Sequence, residues 1–469
     1  MVRADSKSPD RPGLILLLSS CEFVRTARRV LCNPPPSCVD CQCLGVVCVV
    51  NMGQTSSKTA VVEGFVAPGY ESVKEMFEEN FSRGADESSQ LCVYVAGEMV
   101  VDLWGSTTIS SYTGDTLTNV FSSTKSITAI TMAALVDLGL INYSDKICKH
   151  WPEFAENDKG EITIADLMRH EAGLASFDTP LEVEDTLREN IKKNRVGEVI
   201  AKQKPVYPPE KREYHAITRG WVANEIFRRV HPEGKTIGEF LDEKIARPLD
   251  IDVYIGVPPS KEKDYAPVHE FKAGKMLRES FKPASSRAID LGFLELMKVM
   301  NMFRKLVGAA KPIFKQYKDH NMKKFGPLYN IDEMRRGETS SANGNCSARG
   351  LAKLGAAMAC QGTLGGVTVL SNKAWQALHA EPTAVTMMGL LPTNFTQGGV
   401  NKFEEEGGAG RDGYYGWFGY GGSVFEWHPD LQIGFGYTVT LLHWQDPFTN
   451  NKGRRLQQEV ANCVRKLKK

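Results

Sequence analysis

The chain lacks any run of roughly 18 uninterrupted apolar residues, so no membrane-spanning helix is expected. It lacks an excess of either charge. The 57 basic and 56 acidic residues leave a formal +1, without the basic surplus that holds nucleic acid through its phosphates, so no nucleic-acid partner is expected. It also lacks a regular cysteine framework. Six of its 11 cysteines (Cys21, Cys32, Cys38, Cys41, Cys43 and Cys48) crowd the first 48 residues, and the other five are scattered. An odd total so distributed argues against a disulfide-stapled secreted domain and for a reduced, cytoplasmic chain. There is no internal repeat. What is present is an ordinary globular balance, 42% hydrophobic and 24% charged over 469 residues. That is enough to bury a core and to form about two to four structural units.

The first 51 residues differ from the rest. They hold Pro34-Pro35-Pro36, the cysteine cluster and two short apolar runs. No spaced Cys or His pair nearby answers Cys38-x-x-Cys41-x-Cys43 to complete a tetrahedral zinc site, and Leu14–Leu18 is short for a signal-peptide core. Met52-Gly53-Gln54-Thr55-Ser56-Ser57 fits the N-myristoylation pattern, which requires a free amino-terminal glycine. Gly53 is therefore a lipidation candidate if translation starts at Met52. Residues 1–62 are read as a disordered extension and linker.

Downstream, helix and strand signals alternate. Tyr70–Phe81 has helical spacing. Gln90–Val95 and Glu98–Trp104 read as strands joined through Ala96-Gly97, a hairpin. Ser123–Leu138 reads as a helix, with Ile127, Ile130, Thr131, Ala134, Leu135 and Leu138 at helical spacing and Gly139 to end it. Residues 180–339 are mostly helical in pattern. Ser347–Ala359 is a small-residue helix, Ser423–Trp427 and Leu431–Thr440 form a second hairpin, and Gln457–Leu467 closes the chain as a helix. Strands near both ends with helices between imply one sheet built from both ends. The expected domains are a discontinuous α/β sheet domain, 63–180 with 340–469, and a mainly helical domain, 181–339.

The chemistry centres on Phe121-Ser122-Ser123-Thr124-Lys125. In Ser-x-x-Lys on a helix, the lysine lies on the serine's face and reaches its hydroxyl. A helix start favours developing negative charge. A serine hydroxyl is a poor nucleophile until a base takes its proton, and a lysine in a dry setting loses its charge and becomes that base. Ser260-Lys261-Glu262-Lys263 matches the spacing too, but no apolar helix follows it.

With its surroundings, the sequence resembles the serine β-lactamase-related hydrolases: class C-like β-lactamases, esterases of the same fold and animal β-lactamase-like proteins. The landmarks are Gly97–Gly105, Phe121–Lys125, Trp151–Phe154, Leu167–Leu174, Tyr214–Trp221 and Ser341–Gly344, in the family's order. The resemblance implies an α/β fold of the α+β type, β-lactamase/DD-peptidase-like, with an antiparallel sheet flanked by helices. It makes Ser122 the nucleophile, Lys125 its base and Tyr214 a partner in that role, with Lys125 supplying the charge that favours the phenolate. The family's Lys-Thr-Gly is missing. Gly419-Tyr420-Gly421-Gly422-Ser423 stands in the matching region, with Tyr420 in place of a lysine or histidine. Gly421 and Gly422 let substrate approach, and the N–H groups of Ser123's predecessor Ser122 and of Ser423 form the oxyanion hole. Loss of the lysine, and Ala216 where the family has asparagine, weaken recognition of a substrate carboxylate.

Other motifs fail on context. Gly408-Ala409-Gly410-Arg411-Asp412-Gly413 matches Gly-x-Gly-x-x-Gly but lacks the strand before and helix after that a dinucleotide site needs. His170 reads as a packed or capping histidine. The zinc-dependent lactamases' His-x-His-x-Asp-His is absent, and no cofactor or metal is expected. The sequence thus points to a serine hydrolase acting on a small ester or amide through an acyl-enzyme. The alternatives are a catalytically weak, self-associating scaffold of the same fold, or a D-amino-acid peptidase. In the family fold the terminal helices adjoin. A lipid on Gly53 would then lie near the basic tail (Arg465, Lys466, Lys468, Lys469), giving peripheral membrane contact.

Overall fold

The computed structural model describes residues 60–208, 211–309, 316–318, 325–404, 410–445 and 451–468. The cysteine cluster, Gly53, Gly408 and Ala409 lie outside the described residues. Nine strands form one antiparallel sheet. In chain order they are β1 (Val61–Val66), β2 (Ser88–Val95), β3 (Glu98–Ser106), β4 (Thr383–Met387), β5 (Leu391–Phe395), β6 (Asn401–Lys402), β7 (Tyr415–Phe418), β8 (Val424–His428) and β9 (Ile433–Val439). Their spatial order is β1-β3-β2-β9-β8-β7-β6-β5-β4. The two ends of the chain meet where β2 pairs with β9, from Ser89 opposite Val439 to Val95 opposite Ile433. β1 begins at Val61, so the ordered sheet starts two residues inside the segment read as linker.

The β2–β3 hairpin closes through Ala96 and Gly97, both at positive φ (52° and 87°). That backbone follows the twist of the flanking strands. The principal helices are α1 (Glu71–Ser82), α2 (Thr124–Asp137), α3 (Thr218–Val230), α4 (Phe293–Ala309), α5 (Ala348–Ala359), α6 (Asn372–His379) and α7 (Asn451–Leu467). β9 shows how the sheet is covered. A Cβ on Gly434 would lie 2.2 Å from Ala356 N, and one on Gly436 2.4 Å from Ala348 O, so α5 rests directly on the strand backbone. The small side chains of Ala348, Ala352 and Ala356 permit the same approach from the helix. Successive strand residues face opposite ways, and Tyr437 points to the other side, where its hydroxyl donates to Asp86. Lys452 of α7 completes that buried group, 3.0 Å from Asp86.

α2 departs from the one-faced helix expected of its periodicity. Every residue from Thr124 to Leu135 is buried, while Leu138 is exposed. The helix lies in the interior against α3 and α6, so its sequence is apolar or small on all sides. Residues 181–339 hold short helices with α3 and α4, interrupted by the strands Val253–Ile255 and His269–Glu270. Met297 and Met300 of α4 pack on a satellite core around Phe271, Met276 and Leu296. Among the described residues no helix is long and apolar enough to cross a membrane.

Candidate active site

Ser122 occupies a single 3-10 turn, Phe121–Ser123, that runs straight into α2. Phe121 takes φ 44°, a left-handed conformation that costs energy for a residue with a side chain. Its neighbours hold it there. Its N–H donates to Asn119 Oδ1 at 2.7 Å, and its carbonyl accepts from the Thr124 hydroxyl. Its ring meets Tyr329 and Tyr420 edge-on, at 5.6 and 5.7 Å between centroids. Asn119 also donates to Asn343 Oδ1 at 3.0 Å, and Asn343 donates to the carbonyls of Met334 and Gly337. The Ser341–Gly344 landmark thus fixes the turn that presents Ser122.

Lys125 lies one helical turn on and is 1% exposed. Its Nζ is 2.7 Å from Ala216 O, 2.9 Å from Ser341 O and 3.3 Å from Ser122 Oγ. Burial first, and the charge of Arg219 second, hold its ammonium well below the usual lysine range. A neutral amine has two hydrogens and one lone pair. With both hydrogens directed to carbonyls, the lone pair faces the serine hydroxyl. The chance match Ser260-x-x-Lys263 lies in a 3-10 segment with no buried residue and has no such setting.

The Tyr214 hydroxyl donates to Ser122 Oγ at 2.7 Å and accepts from Trp417 Nε1–H at 3.3 Å. Burial raises its pKa, opposed by the contacts with Ser122 and Trp417 and by the charge of Arg219. Arg219 is a cation that acts on the phenol, beside the Lys125 suggested by the sequence. Lys125 Nζ sits 4.8 Å from the centre of the phenol ring.

The third motif is arranged differently from its sequence reading. Trp417, at the end of β7, is the strand residue beside Tyr214. Tyr420 packs its ring on Phe121, next to Ser122, and its hydroxyl donates to Glu270 at 3.4 Å. The reason is the hairpin. Gly422 N–H donates to Gly419 O at 3.2 Å, closing a turn whose third residue, Gly421, has φ 87°. This is the glycine position of a type II turn. A Cβ there would lie 2.4 Å from Leu442, so packing and turn geometry already demand a glycine at 421. Gly422 follows at φ 116°. Ser423 ties the turn to the nucleophile segment. Its hydroxyl donates to Val120 O at 2.8 Å, and its carbonyl accepts from Ser123 Oγ at 3.4 Å.

Three further residues complete the setting and carried no signal as single sites in the sequence: Trp417, Arg212 and Arg219. Arg212, two residues before Tyr214, is fully buried. It pairs with Glu171 at 2.6 Å and donates to Thr383 O at 2.8 Å and Thr393 Oγ1 at 3.1 Å. It pins the tyrosine loop to β4 and β5. His170 is buried, its ring 5.1 Å from that of Tyr214, and its Nδ1 accepts from His215 N–H at 3.0 Å. Among the described residues no cluster of three or more His, Cys, Asp or Glu side chains could hold a metal ion.

Comparison with known proteins places the chain by family and fold. The Beta-lactamase family model matches residues 77–459. Esterase/beta-lactamase LipL of Mycobacterium tuberculosis is 28% identical over 390 residues, which span 81% of this chain and 83% of that protein. The crystal structure of a family VIII carboxylesterase aligns with a TM-score of 0.70 at 26% identity, covering 86% of this chain and 100% of its own. A penicillin-binding protein homolog from Caulobacter crescentus aligns with a TM-score of 0.69, also at 26% identity, with 86% and 100% covered.

Proposed function

The chain belongs to the Beta-lactamase family, and from that premise we propose that it is a serine hydrolase cleaving an ester or amide bond through an acyl-Ser122 intermediate. The observation that carries the reading is the double contact on Ser122 Oγ, with the Lys125 amine on one side and the Tyr214 hydroxyl on the other. Lys125 takes the serine proton as Oγ attacks the carbonyl carbon. The oxyanion is held by the N–H groups of Ser122 and Ser423, residues of two segments already tied together through Val120 and Ser123. Collapse of the tetrahedral adduct breaks the bond to the leaving group, which departs with a proton from the Lys125–Tyr214 pair. Water then attacks the acyl carbon, gives one proton to the same pair and releases the acid, restoring Ser122.

The substrate class follows from what stands beside the phenol. Trp417 offers an uncharged N–H there, so a substrate carboxylate gains no partner. An ester or amide without that anion fits best, in keeping with relatives named as esterases. The sheet, with strands from both ends of the chain, supplies the nucleophile and the turn. Residues 181–339, as a mainly helical domain, supply the Tyr214 loop and the wall facing it.

The test is labelling by a fluorophosphonate probe, with hydrolysis of a short-chain nitrophenyl ester in parallel. Wild-type protein is expected to label and turn over, and Ser122→Ala to do neither. Equal labelling of Ser122→Ala, or none in folded wild type, would refute the assignment.

A further inference from the structure

Two of the buried arginines among the described residues have carboxylate partners: Arg212 pairs with Glu171, and Arg411 lies 3.5 Å from Glu426. Arg219 is different. It is 0% exposed, yet among the described residues no carboxylate lies within ion-pair distance of it. Its Nη2 donates to Gly399 O at 3.1 Å and approaches Lys125 O at 3.4 Å, and its Nε has no partner. The contact of Nη1 with His170 Nε2 at 3.4 Å gives it no anion either. His170 Nδ1 already accepts from His215 N–H, so in the neutral ring the hydrogen sits on Nε2 and faces the guanidinium. A buried charge without a counter-charge is costly and is normally paired. The surroundings that could respond to this one are the reacting groups themselves.

We infer that Arg219 is a positioning residue that acts through charge: its guanidinium, without a carboxylate partner and 3.4 Å from the Lys125 carbonyl, governs where the protons of the catalytic pair reside. The inference rests on the hydrolase reading above. The groups that face it come from four parts of the chain. They are Lys125 of α2, Tyr143 after α2, His170 after the short helix Ile164–Met168, and Tyr214 and His215 before α3. Arg219 itself stays a cation: burial lowers it only to about 10, with Tyr214 and Tyr143 opposing the fall. The two histidines are held neutral by burial and by this same charge, His215 down to about 4, so neither one offsets it. The positive charge thus works on the lysine, which it pushes towards the free amine that accepts the serine proton. It also works on the tyrosine, whose hydroxyl it makes a better proton donor.

The sign is definite. Lys125 must be neutral to act, and Arg219 favours the neutral form. Removing the charge moves the acid limb of the rate profile to higher pH. The test compares wild type with Arg219→Gln, Arg219→Met and Arg219→Lys. It reads kcat/KM for a neutral nitrophenyl ester and the rate of fluorophosphonate labelling across pH 5 to 10, with thermal midpoints as a check on folding. Gln keeps a donor for the Gly399 carbonyl and loses only the charge; Met removes both. An upward shift of about one pH unit, seen as an about tenfold loss below the limb, is expected for Gln and Met, with Lys restoring most of it. A merely structural arginine predicts lower thermal midpoints with the limb unmoved, or Lys displacing the limb as far as Gln; either result overturns the inference. Wild type that fails to label at Ser122 at every pH would instead overturn the hydrolase reading on which it rests.

Discussion

Trp417→Phe isolates a single hydrogen bond. The substitution removes the indole N–H that reaches the Tyr214 oxygen at 3.3 Å and keeps an aromatic ring against Phe395 and Phe418, whose centroids lie 5.1 and 4.7 Å away. In the proposed reaction Tyr214 gains negative character as it passes a proton on, so the lost donor is one to a charged or partly charged oxygen. Such bonds are worth about 1.5–3 kcal/mol, and the length of this one argues for a smaller value, about 1–2 kcal/mol. At about 1.4 kcal/mol per tenfold, kcat/KM is expected to fall by roughly 5- to 30-fold. KM should change little, because the donor acts on the proton carrier. The assay is nitrophenyl-ester hydrolysis in a double-mutant cycle with Tyr214→Phe. In the Tyr214→Phe background the Trp417 substitution should cost nothing further, since the oxygen it serves is gone. If Trp417→Phe leaves kcat/KM within twofold of wild type, or costs the same with and without the phenol, then Trp417 only packs.

Four further outcomes follow from the same structure. Lys125→Met should remove turnover and fluorophosphonate labelling. In wild type, activity should rise with pH through a value well below the usual lysine range, since burial and Arg219 favour the amine; a rise only near the ordinary lysine pKa would contradict this. Lys452→Met leaves Asp86 buried without its cation and should destabilise the protein by about 3–5 kcal/mol, read as a lower denaturation midpoint; an unchanged midpoint would show the pair to be dispensable. Gly421→Ala forces a Cβ towards Leu442 at φ 87° and should lower both stability and kcat, whereas Gly139→Ala, with nothing within 4 Å of its Cβ, should cost only the backbone strain of its own positive φ.

The sequence shows much of this architecture where local chemistry and three-dimensional placement coincide. Ser-x-x-Lys requires a helix start, and the run after Ser123 supplies one. The two hairpins at 88–106 and 424–439 announce themselves by β-rich runs around Ala96-Gly97 and His428-Pro429-Asp430. β4 to β6 do not, because polar residues such as Thr383, Thr386, Asn394 and Asn401 give them no clean alternation. Trp417 was hidden for another reason. Aligning Tyr420 with the missing lysine assumes a continuous strand through Gly422, but the chain reverses at Gly419, and the residue beside the phenol falls three positions earlier. Arg219 was visible only as part of a landmark. Its lack of a carboxylate is a property of the space around it, which no local pattern records.

The pairing of β2 with β9 sets an order of events in synthesis. Ser122 and Lys125 leave the ribosome roughly 300 residues before Trp417, the Gly419–Ser423 turn and strand β9. Until then the Tyr214 phenol has no indole donor, and the edge of β2 that takes β9 is unpaired. The candidate site is therefore complete only once this turn and β9 have been made. Its sheet closes by joining strands more than 330 residues apart, a long-range step of the kind that folds slowly and exposes strand edges meanwhile.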